Sequence, residues 1–189
     1  MQIEATFIQE FLKLNKFFNE NNIPYAIIGG IATSFWGEPR YTRDVDFTIV
    51  TDKNTEELVL LLKEKGFDAT YQVIPQIRIK KDDFIADILY SKNHFEEQLV
   101  MQAEECEMYD NKVRMGRAED IILMKLQVTR HRDLLDIENI LSHKNDLDWG
   151  YLKGNLFSMN LMAQFEEEFG SLQEWIIKHE HLRKQAGEI

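Results

Sequence analysis

Residues Tyr25–Val50 read YAIIGGIATSFWGEPRYTRDVDFTIV, and this stretch decides the fold. Tyr25–Ile28 is an apolar run of strand length. Gly29 and Gly30 follow at once, then a short helix-compatible segment, and Asp44-Val45-Asp46-Phe47 enters a second apolar run. Side chains alternate between faces along a strand, so Asp44 and Asp46 share one face while Val45 and Phe47 share the other. Two carboxylates held side by side repel each other unless a cation lies between them. A glycine pair lets the backbone approach closely, and its N–H groups are able to cradle a phosphate. A phosphate cradle and a divalent-metal clamp on adjacent strands make a site for nucleotide chemistry. The plainer alternative is a turn at Gly29-Gly30 with two solvated aspartates nearby.

The full pattern GGIATSFWGEPRYTRDVDF resembles the signature of the polymerase-β-like nucleotidyltransferase superfamily, a glycine pair followed by an Asp-x-Asp entering a strand. It is similar to the small bacterial and archaeal branch of minimal nucleotidyltransferases and AbiEii-type toxins of type IV toxin–antitoxin pairs. The resemblance implies Gly29 and Gly30 as phosphate-binding glycines and Asp44 and Asp46 as metal ligands. Many members carry Gly-Ser, where the serine hydroxyl also contacts phosphate; this chain has Gly-Gly, as that branch often does.

Asp87 stands inside the apolar run FIADILY. A lone buried carboxylate is costly without a partner. The resemblance implies that it is the third metal-coordinating carboxylate, sharing two magnesium ions with Asp44 and Asp46; an edge-strand aspartate facing water is the alternative. Arg40 and Arg43 lie close in sequence to Asp44 and Asp46. They either steady a phosphate or the carboxylates, or balance local negative charge.

A second informative segment is RAEDIILMKLQVTRHRDLLDIENIL, which reads as two helices, Ala118–Thr129 and Asp133–Leu141, with a break around Arg130–Arg132. Asp133 and Asp136 are three apart on one helix face near an N-terminus, where they would cap the helix and complement its dipole. Lys125 reads as an exposed helical lysine with no structural duty. The pattern K-x-x-x-x-R-x-R-D-x-x-D is similar to later motifs of the AbiEii-type branch. By that resemblance Lys125 contacts the triphosphate, and Asp133 and Asp136 shape the nucleotide site.

The composition is that of an ordinary globular chain, with a net charge of −11 that argues against general DNA binding. Lys112, Arg114, Arg117, Lys125, Arg130 and Arg132 form a basic stretch, read first as solvated helix faces and second as a surface for a triphosphate or short RNA. No apolar run approaches the roughly 18 residues that a membrane span needs, and the acidic start MQIEATFIQEF does not read as a signal peptide. Cys106 is alone, which excludes an internal disulfide and a cysteine-based zinc site. A cytoplasmic location without membrane association is the default expectation.

Elsewhere, residues 2–20 have the apolar spacing of an amphipathic helix, stopped by Asn21-Asn22 and Pro24. Gly30–Trp36 is expected to be a short helix ending at Gly37, and Asn54–Lys65 a longer one closed by Gly66. Strands are expected at Phe67–Val73, Gln76–Lys80 and Phe84–Leu89, the last two joined by a turn at Lys81-Asp82-Asp83. His94–Glu105 reads as a helix, Cys106–Met115 as a hairpin turning at Asp110-Asn111, and 148–189 as two further helices. His179 and His181 read as exposed. The expected class is α/β (α+β), a nucleotidyltransferase fold: a mixed β-sheet with helices packed on it and a helical C-terminal portion. Its core is expected at 1–116 and the helical portion at 117–189.

The activity this implies is transfer of a nucleoside monophosphate from an NTP to an unidentified protein, RNA or small-molecule acceptor, with two Mg2+ ions as cofactor. The alternatives are a non-catalytic nucleotide-binding protein on the same fold and a toxin acting on RNA. An antitoxin or a second copy of the chain is the partner such readings bring.

Overall fold

Tyr25–Ile28 is buried at all four positions, as an interior strand must be. This strand, β1, lies within a seven-stranded mixed sheet of order β3-β4-β5-β2-β1-β7-β6. The computed structural model describes residues 2–72 and 76–186. The chain divides into two compact units, Met1–Ala32 with Arg40–Arg117, and Thr33–Pro39 with Ala118–Ile189. That residues 33–39 go with the C-terminal helices is not indicated by chain order.

The first unit holds the sheet: β1, β2 (Asp44–Ile49), β3 (Ala69–Tyr71), β4 (Gln76–Lys81), β5 (Phe84–Tyr90), β6 (Glu104–Met108) and β7 (Asn111–Met115). Helices α1 (Gln2–Glu20), α3 (Thr55–Glu64) and α4 (His94–Met101) belong to it, as does the first turn of α2 (Gly29–Trp36). β1 runs antiparallel to β2 and parallel to β7, and β2 runs parallel to β5. Val45, Phe47 and Ile49 are fully buried, and the α1 rings of Phe11 and Phe18 pack on Phe47 at 6.2 and 5.3 Å between centroids. Helix α1 therefore covers the face of β2 opposite the two aspartates. Full burial of a phenylalanine of this kind contributes about 1.5–3 kcal/mol.

Local chemistry sets the element ends. Asn54 caps α3 in a capping box with Glu57, and Gly66 follows the helix at φ +77°. The β4–β5 turn places Asp82 at φ +51°, so Lys81 pairs with Phe84 and the whole hairpin register follows. Three expectations are corrected here. Helix α4 stops at Met101 because residues 104 and 105 pair with Met115 and Arg114 in the sheet. The β6–β7 turn sits one residue earlier, at Tyr109-Asp110, both with positive φ, so Asn111 already pairs with Met108. The third strand covers only Ala69–Tyr71, and Val73, expected in it, lies outside the described residues.

The second unit is helical: α5 (Ala118–Leu126), α6 (His131–His143), α7 (Trp149–Ser158), α8 (Met162–Phe169) and α9 (Leu172–Ala186). Three helices rather than two follow residue 148, because Asn160 and Gly170 both adopt positive φ and break the run. Asn139 on α6 accepts from the Glu38 backbone N–H at 2.9 Å, and Lys144 lies over the Trp36 ring at 4.7 Å, which holds 33–39 in this unit. His179, expected at the surface, is buried at 2% exposure. It sits beside Trp149 and Trp175, with its Nε2 2.8 Å from the Leu141 carbonyl oxygen. Burial pushes its imidazole below the ordinary pKa, outweighing the opposing hydrogen bonds to the Leu141 and Asn145 backbone. No helix among the described residues is long and apolar enough to cross a membrane.

Candidate active site

The end of β1 explains the glycine pair. Gly29 adopts φ +64°, in the left-handed region, and a Cβ there would overlap Asp46 Oδ2 and lie 2.9 Å from Asp46 Cγ. A Cβ on Gly30 would meet Thr42 Oγ1 at 2.6 Å. Both glycines thus give up a side chain so that a residue next to or within the Asp-x-Asp segment can close against the start of α2. Thr42 in turn lies 3.2 Å from both Asp44 Oδ1 and the Asp44 carbonyl oxygen. The first turn of α2 adds backbone N–H groups and the positive end of a helix dipole beside the carboxylates.

Sheet register brings the third carboxylate into line. β2 and β5 run parallel with Asp46 opposite Asp87, so Asp44, Asp46 and Asp87 project from one sheet face. Asp87 is 5% exposed, on an interior strand and not at an edge. Across the β4–β5 ladder it faces Arg78, whose Nε and Nη2 donate to Asp87 Oδ1 and Oδ2 at 2.8 and 2.7 Å. This is a bidentate fork, the strong form of the arginine–carboxylate pair. Hydrogen bonding to Asp87 and its charge raise the guanidinium's pKa, and the charges of Asp44 and Asp46 add to the effect.

Among the described residues no three His, Cys, Asp or Glu side chains are placed so that they could together hold a metal ion. The donor set nevertheless fits a hard divalent cation: carboxylate oxygens only, on one face, with Asp44 and Asp46 half-buried and therefore reachable.

Of the two arginines expected nearby, Arg40 is half-buried, its Nη1 3.5 Å from the position of a Gly30 Cβ, while Arg43 is exposed. Lys125, Asp133 and Asp136 come together in the second unit. Lys125 Nζ donates to Asp136 Oδ2 at 2.6 Å and Asp133 Oδ1 at 3.3 Å, and Arg130 Nε donates to Asp133 Oδ2 at 2.8 Å. The expectation of an exposed Lys125 is corrected, since its side chain is 11% exposed and those of Asp133 and Asp136 are 6% and 4%. A buried ammonium needs carboxylate partners, and this one has two. Burial pushes the Asp133 carboxyl upward, but the hydrogen bond from Arg130 and the charge of Lys125 outweigh it and its pKa lies below the ordinary value.

Arg78 and Thr42 are absent from the residues expected on sequence. A signal for Arg78 exists. A two-residue turn at Asp82-Asp83 pairs 81 with 84, and counting back along the ladder sets 78 opposite 87. Thr42 has none, because its contact depends on how the loop before β2 folds over Gly30.

Residues 5–186 match the family model described as "Nucleotidyltransferase of unknown function (DUF6036)". A search of curated proteins returned no match. Among solved structures, ANT(2")-Ia in complex with adenylyl-2"-tobramycin is similar with a TM-score of 0.57 and 15% identity, over 82% of this chain and 97% of that one. An antigenic nucleotidyltransferase-like protein from Paracoccidioides brasiliensis is similar with a TM-score of 0.54 and 18% identity, over 87% and 92% of the two chains. The lincosamide antibiotic adenylyltransferase LnuA, lincomycin-bound, gives 0.51 and 16%, over 70% and 94%. At such identities the likeness is one of fold. With the family match across nearly its whole length and the glycine pair set against the Asp-x-Asp, the chain belongs to this nucleotidyltransferase family, within the polymerase-β-like superfamily.

Proposed function

We propose that this protein transfers a nucleoside monophosphate from an NTP to an acceptor oxygen, using the face of β2 and β5 that carries Asp44, Asp46 and Asp87. The observation that carries the reading is the close approach of the Asp46 carboxylate to Gly29, which joins a phosphate-binding helix start to a row of carboxylates. The backbone N–H groups at the start of α2, beside Gly29 and Gly30, would meet the triphosphate, and Arg40 and Arg43 stand where its charge would be offset. Asp44, Asp46 and Asp87 would hold the divalent metal; the resemblance implies two Mg2+ ions, which carboxylate oxygens suit. Bound there, magnesium supplies Lewis-acid stabilisation of charge on the phosphates. The acceptor oxygen forms a bond to the α-phosphorus, the bond to the bridging β-phosphate oxygen breaks, and pyrophosphate leaves with the electron pair. The chain's own part is positioning: Thr42 orients Asp44, and Arg78 orients Asp87.

The resemblance also assigns Lys125 to the triphosphate and Asp133 and Asp136 to the nucleotide site. A phosphate contact by Lys125 has to replace a 2.6 Å ion pair, so the geometry favours a holding role for this cluster. The test is incubation with each α-labelled NTP, magnesium and cell lysate, followed by identification of the labelled product. Label transfer that vanishes in Asp44→Ala supports the reading. NTP binding without transfer in any lysate overturns it in favour of a binding module.

A further inference from the structure

Arg78 orients Asp87, and its surroundings differ sharply from those of its partner. The Asp87 carboxylate is 8% exposed and fixed on an interior strand, while the Arg78 side chain is 44% exposed and reaches it from β4. The arginine is thus able to swing out into water, whereas the aspartate has nowhere to go. On one sheet face the register runs Arg78, Asp87, Asp46 across three neighbouring strands, so the guanidinium stands at the end of the carboxylate row. Both Asp87 oxygens are taken by the fork. A cation approaching Asp87 therefore meets a charge already paired.

We propose that Arg78 is a built-in counter-cation that pairs with the Asp87 carboxylate and holds it in place, and so sets the concentration of divalent metal at which Asp87 joins Asp44 and Asp46. Without it, Asp87 would be a buried carboxylate lacking its partner, a costly state that a metal ion relieves. With it, the metal must compete with a resident positive charge. The inference rests on the reading of these carboxylates as a metal site, and makes Arg78 a positioning residue.

The test is a Mn2+ titration of the full-length, nucleotide-free protein by calorimetry, paired with thermal unfolding with and without Mn2+. Arg78→Met is expected to lower the metal-free Tm by several degrees, to regain most of that loss with Mn2+, and to bind Mn2+ about tenfold more tightly than wild type. Arg78→Lys retains the charge but loses the fork, and is expected to fall between the two; it serves as the reporter if Arg78→Met does not fold. In an Asp87→Asn background the Arg78 substitution should give no tightening, because the charge it competes for is gone. Unchanged or weaker Mn2+ binding in the Arg78 variants, with Mn2+ still bound by wild type, overturns the role of Arg78 and leaves the metal site standing. Absence of Mn2+ binding in wild type and variants alike overturns the metal-site reading and this inference with it.

Discussion

Among the described residues, two clusters in which aspartates meet basic side chains are built differently. In the helical unit Asp133 and Asp136 are closed over Lys125, all three nearly excluded from solvent, with Arg130 completing Asp133. In the sheet unit Asp44 and Asp46 stay half-buried beside the glycine pair, although the arginine on Asp87, like Arg130 on Asp133, is substantially exposed. A sealed cluster suits holding helices together, since a ligand entering it would have to break buried ion pairs. A cluster left reachable at strand ends suits binding a cation and a phosphate. The presence of aspartates beside a cation therefore says little about role until burial is known.

The contrast is broken most directly at Lys125. Removing one partner of a buried ion pair costs about 3–5 kcal/mol, so Lys125→Ala should lower stability by that amount in urea unfolding. Replacing Lys125, Asp133 and Asp136 together by apolar residues should cost much less. A stable Lys125→Ala with weakened triphosphate binding would move the cluster into the nucleotide site.

Asp44→Asn should do the opposite. Loss of one charge-stabilising group at a transferase centre is worth about 10²–10³ in rate, so label transfer should fall by at least about a hundredfold. The metal-free Tm should hold or rise, because a like charge beside Asp46 is removed. A large loss of metal-free stability would mark Asp44 as structural.

Gly29→Ala sharpens the comparison at the point where the backbone meets the carboxylate row. The left-handed conformation costs a residue bearing a Cβ about 1–2 kcal/mol, and the added carbon collides with Asp46. A modest loss of stability together with loss of Mg2+-dependent stabilisation by NTP is expected. Retention of that stabilisation would separate the glycine from the proposed metal site.

The smallest effect is in pH. His179 has a folded pKa depressed by burial, so the unfolded chain takes up a proton before the native state does. Stability is full above the ordinary histidine pKa, about 6.5, and declines as pH falls from there toward the depressed folded value. Thermal unfolding across pH 7 to 5 should show this decline, and a substitution of His179 by Gln should flatten it. The depressed Asp133 carboxyl acts lower, its contribution being complete at neutral pH and lost only as pH drops below the ordinary carboxylate range. A decline between pH 7 and 5 that persists unchanged in His179→Gln would exclude the histidine as its source.

Much of the sheet unit is legible in the sequence because its signals are local. Alternation in DVDF puts two carboxylates on one face, the apolar run before Gly29 makes β1, and the turn signal at Lys81-Asp82-Asp83 marks the β4–β5 hairpin, although Lys81 itself stays in the strand and pairs with Phe84. The same locality explains the small errors at residues 104–105 and 109–110, where helix and strand preferences of one segment are decided by which strand it pairs with. The glycine pair announces a close approach in the sequence, but not that Asp46 and Thr42 are what approaches.

What the sequence determined by itself is the class of fold, the identity of the glycine–aspartate pattern and the shared face of Asp44 and Asp46, all consequences of spacing along a few residues. Tertiary structure alone decided that Lys125 and His179 are buried, that 33–39 pack with the C-terminal helices, and which acids hold Lys125. The reason is physical: periodicity is written in covalent neighbours, whereas burial and charge pairing depend on which distant segments exclude water from a side chain.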